Sequence, residues 1–207
     1  MNHDFPYSRF ESHLYRFYRA FIFKPFLKKL GSQAFISPYA RLHNIEHISI
    51  GNRVFIGRGT LILPIIKYLT ETFTPSIIIE DNVYVGVSCS ISAATEIIIE
   101  EGVTIGDHVY IGGGRHGYEE PNNSVMNQNL VIGSIRIGSR AWIGYGSFIA
   151  GTGSLEIGEH AIIGANSVVT KSVPAFTMVA GAPAKPIKYY DSHQEKWVRV
   201  VTPPECR

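Results

Sequence analysis

The sequence predicts an all-β chain wound as a parallel β-helix, and three observations carry that prediction. Apolar residues recur every six positions through most of the chain. A glycine commonly follows the apolar position, and a small or β-branched residue stands four places after it. The period is read from Ile50, Ile56 and Ile62; Ile79, Val85 and Ile91; Ile99, Ile105 and Ile111; Ile137, Ile143 and Ile149; and Ile157, Ile163 and Val169. Extended backwards it takes in Leu30, Ile36 and Leu42. An α-helix repeats every 3.6 residues, so a period of six needs a short strand, a corner and another short strand.

Before the repeat, residues 1–29 form an N-terminal segment with its own character. Residues 1–30 hold six basic residues and two acidic ones, a net of +4, against a total of +2 for the 207-residue chain. Over 9–28 the spacing of Phe10, Leu14, Phe17 and Phe21 predicts an amphipathic helix, with Arg9, Arg16 and Arg19 interspersed. Two uses suit it. It could dock at an anionic membrane surface, or its aromatics could cap the open end of the solenoid, which is preferred because solenoid ends need covering. The segment does not read as a signal peptide, since Arg and His interrupt its apolar residues. No stretch reaches the roughly 18 apolar residues of a membrane span. A soluble cytoplasmic protein, at most peripheral at the membrane, is the expectation. The small net charge gives no reason to expect nucleic acid, and two cysteines, Cys89 and Cys206, suit a reducing compartment.

Residues 30–175 are the repeat region. Inward-pointing residues of each type should stack on their counterparts in the next coil. The small inward positions are Val54, Thr60, Val83, Cys89, Thr95, Val103, Val109, Ala141, Ser147, Ala161 and Ser167. The glycines are expected at the corners for the positive φ that a tight turn demands. Successive triplets start at Leu30, Ile50, Ile79, Ile99, Ile137 and Ile157. Three of the five intervals are therefore 20 residues, and the others are 29 and 38. The longer intervals predict loops near 63–78 and 112–136, both leaving after the third hexapeptide and hence from one edge of the prism. About six coils at roughly 4.8 Å each make a column roughly 25–30 Å tall.

The repeat is scaffold, so chemistry is sought where it breaks. The longer break begins Gly112-Gly113-Gly114-Arg115-His116-Gly117. Its small residues let the backbone leave the prism and a ligand approach closely. Residues 176–207 form a C-terminal extension, with Tyr189, Tyr190 and Trp197 available to pack on a coil face or a neighbouring subunit.

The stretch Ile137-Gly-Ser-Arg-Ala-Trp-Ile-Gly144 resembles the penultimate coil of the hexapeptide-repeat acyltransferases. Gly164-Ala-Asn-Ser-Val-Val-Thr-Lys-Ser-Val-Pro174 and Val179-Ala-Gly-Ala-Pro-Ala-Lys-Pro-Ile-Lys188 are similar to their C-terminal signature. Within the family the sugar and polysaccharide O-acetyltransferases look nearest, and the likeness runs over roughly 30–188. The resemblance implies a left-handed helix of triangular section, although parallel crossovers are ordinarily right-handed. It also implies a homotrimer with active sites between subunits, acetyl-CoA as acyl donor and no metal.

Position in the coil makes His116 the counterpart of the family's catalytic histidine. Transfer from a thioester to an alcohol needs a base that takes the hydroxyl proton near neutrality, and imidazole suits that role. The alternative for His116 is a solvated loop residue. Carried over position by position, the CoA contacts fall on Tyr145, Ala165, Thr170, Lys171, Lys185 and Lys188. The lysines would meet anionic phosphates; without the surrounding signature they would read as ordinary surface charge. Ser92 and Glu100 align with acceptor-binding Asn and Asp of galactoside acetyltransferases, so the acceptor pocket has diverged. Tyr118 and Glu119 could contact a sugar or simply be solvated. Many polysaccharide-type relatives have a second His two places earlier, where this chain has Gly114. The expected function is O-acetylation of a sugar hydroxyl in surface-polysaccharide or glycan biosynthesis. The alternatives are N-acetylation of an amino sugar or nucleotide-sugar, and a non-catalytic trimeric scaffold. A γ-carbonic-anhydrase-like metal site is disfavoured, because His108 and His116 have no fitting third ligand.

Overall fold

The computed structural model describes residues 22–200. Three parallel sheets form the faces of a prism. The first holds Lys29–Leu30, Ile48–Ile50, Ser76–Ile79, Glu96–Ile99, Leu130–Ile137 and Gly153–Ile157. The second starts at Phe35–Ile36 and climbs to Thr177–Ala180. The third runs from Arg41–Leu42 through Leu61–Pro64, Ser90–Ala93, Tyr110–His116 and Phe148–Ala150 to Val168–Val169.

The inter-coil register follows the intervals read from the sequence. Tyr84 lies beside Thr104 and Trp142 beside Ile162, the regular 20-residue steps. Phe55 lies beside Tyr84 and Thr104 beside Trp142, the steps of 29 and 38 that carry the insertions. Parallel strands only two to four residues long are stable here because each one's N–H and C=O groups meet the coil above and the coil below.

Ile50, Ile56, Ile62, Ile91, Ile99, Ile105 and Ile111 are fully buried and form one continuous core. The small inward positions are buried with them, polar ones included. Thr60 donates from Oγ1 to Gly86 O at 2.8 Å and accepts from Cys89 N at 3.1 Å, so its hydroxyl is satisfied inside the core. Thr95 is the exception among the predicted inward residues. It is only half-buried, at the edge where the chain leaves the third face, and donates to Gly133 O at 2.5 Å.

The glycines act differently from the expectation. Those directly after the apolar position do not carry the positive φ. A Cβ on Gly57 would lie 2.3 Å from Gly86 O in the next coil, so this position is glycine because two backbones approach closely. The left-handed residue stands two places further on, and side chains tolerate it there: Arg53, Asn82, His108, Arg140 and His160 have φ between 52° and 60°.

Residues 9–21 of the expected N-terminal helix, and Cys206, lie outside the described residues. Just before the first strand, Leu27 N donates to Phe23 O at 3.0 Å. Leu27 belongs to the core and Phe23 packs against it, so this stretch covers the first coil. At the other end the prism runs past residue 175. Thr177–Ala180 is a further strand of the second face, and Lys185–Asp191 and Lys196–Arg199 continue that face antiparallel.

Candidate active site

Both insertions leave the third face, and they meet. The shorter folds as a hairpin of Lys67–Tyr68 against Glu71–Thr72. The longer is an arm: Tyr110–His116 runs out of the prism and Leu130–Ile137 returns antiparallel to it, pairing His116 with Leu130. The glycines at the root make this crossing possible. A Cβ on Gly113 would sit 2.4 Å from Gly133 O, and Gly114 holds φ at +140° with Val131 O 2.8 Å from where its Cβ would be. Between the strands, Gln128 fastens the bend. Its side-chain Nε2 donates to Glu120 O at 3.0 Å and Asn123 O at 3.2 Å, while Oε1 accepts from Glu120 N at 3.0 Å.

The hairpin docks on the arm through two side chains. Tyr68 Oη stands 3.1 Å from His116 Nδ1 and donates to Met126 O at 2.9 Å. The Tyr68 ring meets the imidazole edge-on, with centroids 5.3 Å apart. Glu71 Oε1 accepts from Asn129 Nδ2 at 3.1 Å. Beside His116 lies an open cleft of about 200 Å³. Ser92, Ala93, Tyr110, His116, Ile65 and Ile132 are among the residues lining it, so its lining is part polar and part aliphatic.

Two of the residues read from the sequence, Ser92 and His116, thus share one cleft. Tyr118 and Glu119 follow them on the arm and are bound to Arg115. The guanidinium lies over the Tyr118 ring at 4.0 Å and donates to Glu119 Oε1 at 2.8 Å and to His116 O at 2.9 Å. The hydrogen bond from Arg115 and one from Tyr118 N hold the Glu119 carboxyl down to about 2. Glu119 also borders a second hollow with Gly117, Glu120 and Gln128. Glu100 is not in the cleft. It pairs with Arg136 and accepts from Ser139 N at 2.8 Å, joining two coils of the prism.

The residues aligned with CoA contacts occupy the last coils. Tyr145 and Ala165 follow equivalent apolar positions, Gly144 and Gly164 preceding them on the second face. Thr170 and Lys171 follow Val168–Val169, and both are exposed. Lys188 lies opposite Met178 and Lys185 opposite Ala180 on the antiparallel continuation. His108 is separate from the cleft: it sits at a corner with its ring against Tyr145, centroids 5.2 Å apart. Among the described residues no group of three or more His, Cys, Asp or Glu is arranged to hold a metal ion. No helix among them is long and apolar enough to cross a membrane.

Sequence reasoning missed Tyr68, Arg115 and Gln128. Arg115 carried a signal in Glu119, its opposite charge four residues on. Tyr68 carried a weaker one: an aromatic with a polar tip inside an insertion that leaves the same edge as the histidine's.

A family model described as the hexapeptide repeat of succinyl-transferase matches residues 76–114 and 134–171. The chain is 31% identical over 165 residues to dTDP-4-amino-4,6-dideoxy-D-glucose acyltransferase of Escherichia coli, covering 77% of this chain and 81% of that protein. It is 32% identical over 128 residues to WbbJ of Escherichia coli K12, a putative lipopolysaccharide biosynthesis O-acetyl transferase, covering 60% of this chain and 63% of the relative. Of several curated relatives, WbbJ included, the chain spans between 57% and 63% of the length. Among solved structures, a mutant of AntD, an N-acyltransferase from Bacillus cereus in complex with dTDP and coenzyme A, superposes with a TM-score of 0.70 at 20% identity, over 83% of this chain and 89% of that one. The prism is the left-handed β-helix of these proteins. A 31% match across four-fifths of a relative, added to the repeat itself, goes beyond a shared scaffold: the chain belongs to the hexapeptide-repeat acyltransferases.

Proposed function

We propose that the protein transfers an acyl group, acetyl in the simplest case, from a CoA thioester to a nucleophile on a sugar, with His116 as general base. The observation that carries this reading is the position of His116. It is an imidazole at the root of an arm, lining a cleft with Ser92 and Tyr110, in a chain that belongs to the hexapeptide-repeat acyltransferases. His116 takes the proton of the attacking group as the new bond to the acyl carbon forms, and returns it to the departing thiolate sulfur. Lys171, Lys185 and Lys188 offer positive charge to the phosphates of CoA along the last coils, and Ala165 leaves room for backbone contact. No covalent enzyme intermediate is needed. In this reading the cleft is completed by a neighbouring subunit of a homotrimer.

The amino group of a nucleotide-linked sugar is the acceptor that the relatives favour over the hydroxyl expected from sequence. The dideoxyglucose acyltransferase is a relative matched over most of its length, and AntD is an N-acyltransferase of the same fold. O-acetylation is the second reading, supported by the 32% identity to WbbJ.

The test is thiol release from acetyl-CoA against nucleotide-linked amino sugars, free amino sugars, neutral sugars and glycan fragments, for the wild type and His116→Ala. Turnover with amine-bearing acceptors, reduced about 10²–10⁴-fold in the variant with CoA binding kept, supports the proposal. A product cleaved by mild base is an ester and moves the conclusion to O-transfer; a base-stable product is an amide. Equal turnover by the variant rejects His116 as the base. Absence of CoA binding in both proteins rejects the enzyme and favours a scaffold.

A further inference from the structure

We infer that Tyr68, on the hairpin of the first insertion, is a positioning residue that sets the tautomer of His116. This rests on the reading of His116 as general base. A phenol has one proton and can also accept. Met126 O can only accept, and it lies 2.9 Å from Tyr68 Oη. His116 Nδ1 lies 3.1 Å from the same oxygen. If the phenol proton pointed at Nδ1, two oxygens would face each other at 2.9 Å with no hydrogen between them. One arrangement satisfies both contacts: Tyr68 donates to Met126 O, and Nδ1–H donates to Tyr68 Oη. The lone pair of the neutral imidazole is then on Nε2, the nitrogen not engaged by Tyr68.

A general base works only through an unprotonated nitrogen aimed at the acceptor. With the tautomer free to exchange, part of the population would present Nε2–H and be inactive. The orienting group here comes from 48 residues away. The edge-on ring contact fixes the plane of the imidazole, and the Glu71–Asn129 hydrogen bond holds the hairpin against the arm. The first insertion thereby brings a hydrogen-bond acceptor to the histidine carried by the second.

Tyr68→Phe keeps the ring and removes only the oxygen. The experiment is ¹⁵N NMR of the histidine side chains in the full-length protein, at a pH where the imidazole is neutral, with the His116 resonances assigned by their loss in His116→Ala. In the wild type the expected pattern is Nδ1–H with unprotonated Nε2. In Tyr68→Phe it shifts toward Nε2–H, and kcat falls at least roughly tenfold with KM little changed. A wild-type ring protonated on Nε2 would overturn the inference, as would an Nδ1–H pattern or an unaltered kcat in Tyr68→Phe. The NMR result needs no turnover, so a protein with no acyltransferase activity would end the reading of His116 as a base while the tautomer was still decided.

Discussion

In the coils, the N–H groups of the strands meet carbonyls one layer away, and inward side chains stack on those at the same position of the next layer. In the two insertions of the third face, backbone pairing is confined to short antiparallel stretches, and single side chains hold the bend of the arm and join the hairpin to it. Ile105 lies between Val85 and Ile143 in register, and any branched apolar residue of that size would continue the stack. Tyr68, Glu71, Arg115 and Gln128 have no such equivalents; each bonds to its own particular partners. The coils are redundant and the insertions are not. A site that must hold one imidazole in one orientation is built where the redundancy ends.

The largest expected effect on stability is in the stack. Ile105→Ala should cost about 2–5 kcal/mol, measured by denaturant unfolding, because the neighbouring layers are pinned by backbone ladders and cannot collapse into the space. A loss well under that would mean the coils relax more freely than their register suggests. Gln128→Ala sharpens the contrast. It should cost about 1–3 kcal/mol of local order, since it leaves Glu120 and Asn123 groups unpaired. Faster amide exchange confined to 117–129, with the unfolding temperature of the prism little changed, is the expected result. Loss of protection throughout the prism would show that arm and coils unfold as one unit.

The clasp of Arg115 on Glu119 gives a pH-dependent comparison. The carboxyl is held below its ordinary value of 4.5, at about 2, so the interaction is complete above about 4.5 and is lost as pH falls through about 2. A ¹³C titration of the Glu119 carboxylate should show that low midpoint, and a midpoint near 4.5 would mean the clasp is open in solution. The smallest effect is expected at Cys89. Burial pushes its thiol up to about 11, and Sγ is close to Gly106 O at 3.1 Å. Iodoacetamide at neutral pH should leave the Cys89 peptide unmodified in the folded protein, read by mass spectrometry. Rapid modification would reveal opening of the coils.

The repeat is legible in the sequence because its signal is local and periodic. Ile50 and Ile56 stand in register with Ile79 and Val85 of the next coil without any long-range information being needed. The positions of both insertions follow from the intervals between triplets. The glycines are ambiguous in sequence, since close approach between coils and positive φ both favour glycine. Only the fold shows that Gly57 serves the first and that residues such as Arg53 and His108 carry the second. Only the fold shows that Glu100, aligned by resemblance with an acceptor contact, pairs with Arg136 of the next coil.

By itself, the sequence determined the prism, its coil spacing, the two insertions and His116 at the exit of one of them, since a six-residue period and its interruptions are properties of the chain's order. The tertiary structure alone decided what stands beside that histidine. Tyr68 and His116 are 48 residues apart, and their contact depends on two irregular segments folding back over the same edge. No period encodes such a meeting, because it is made by one pair of side chains and has no counterpart in the regular coils.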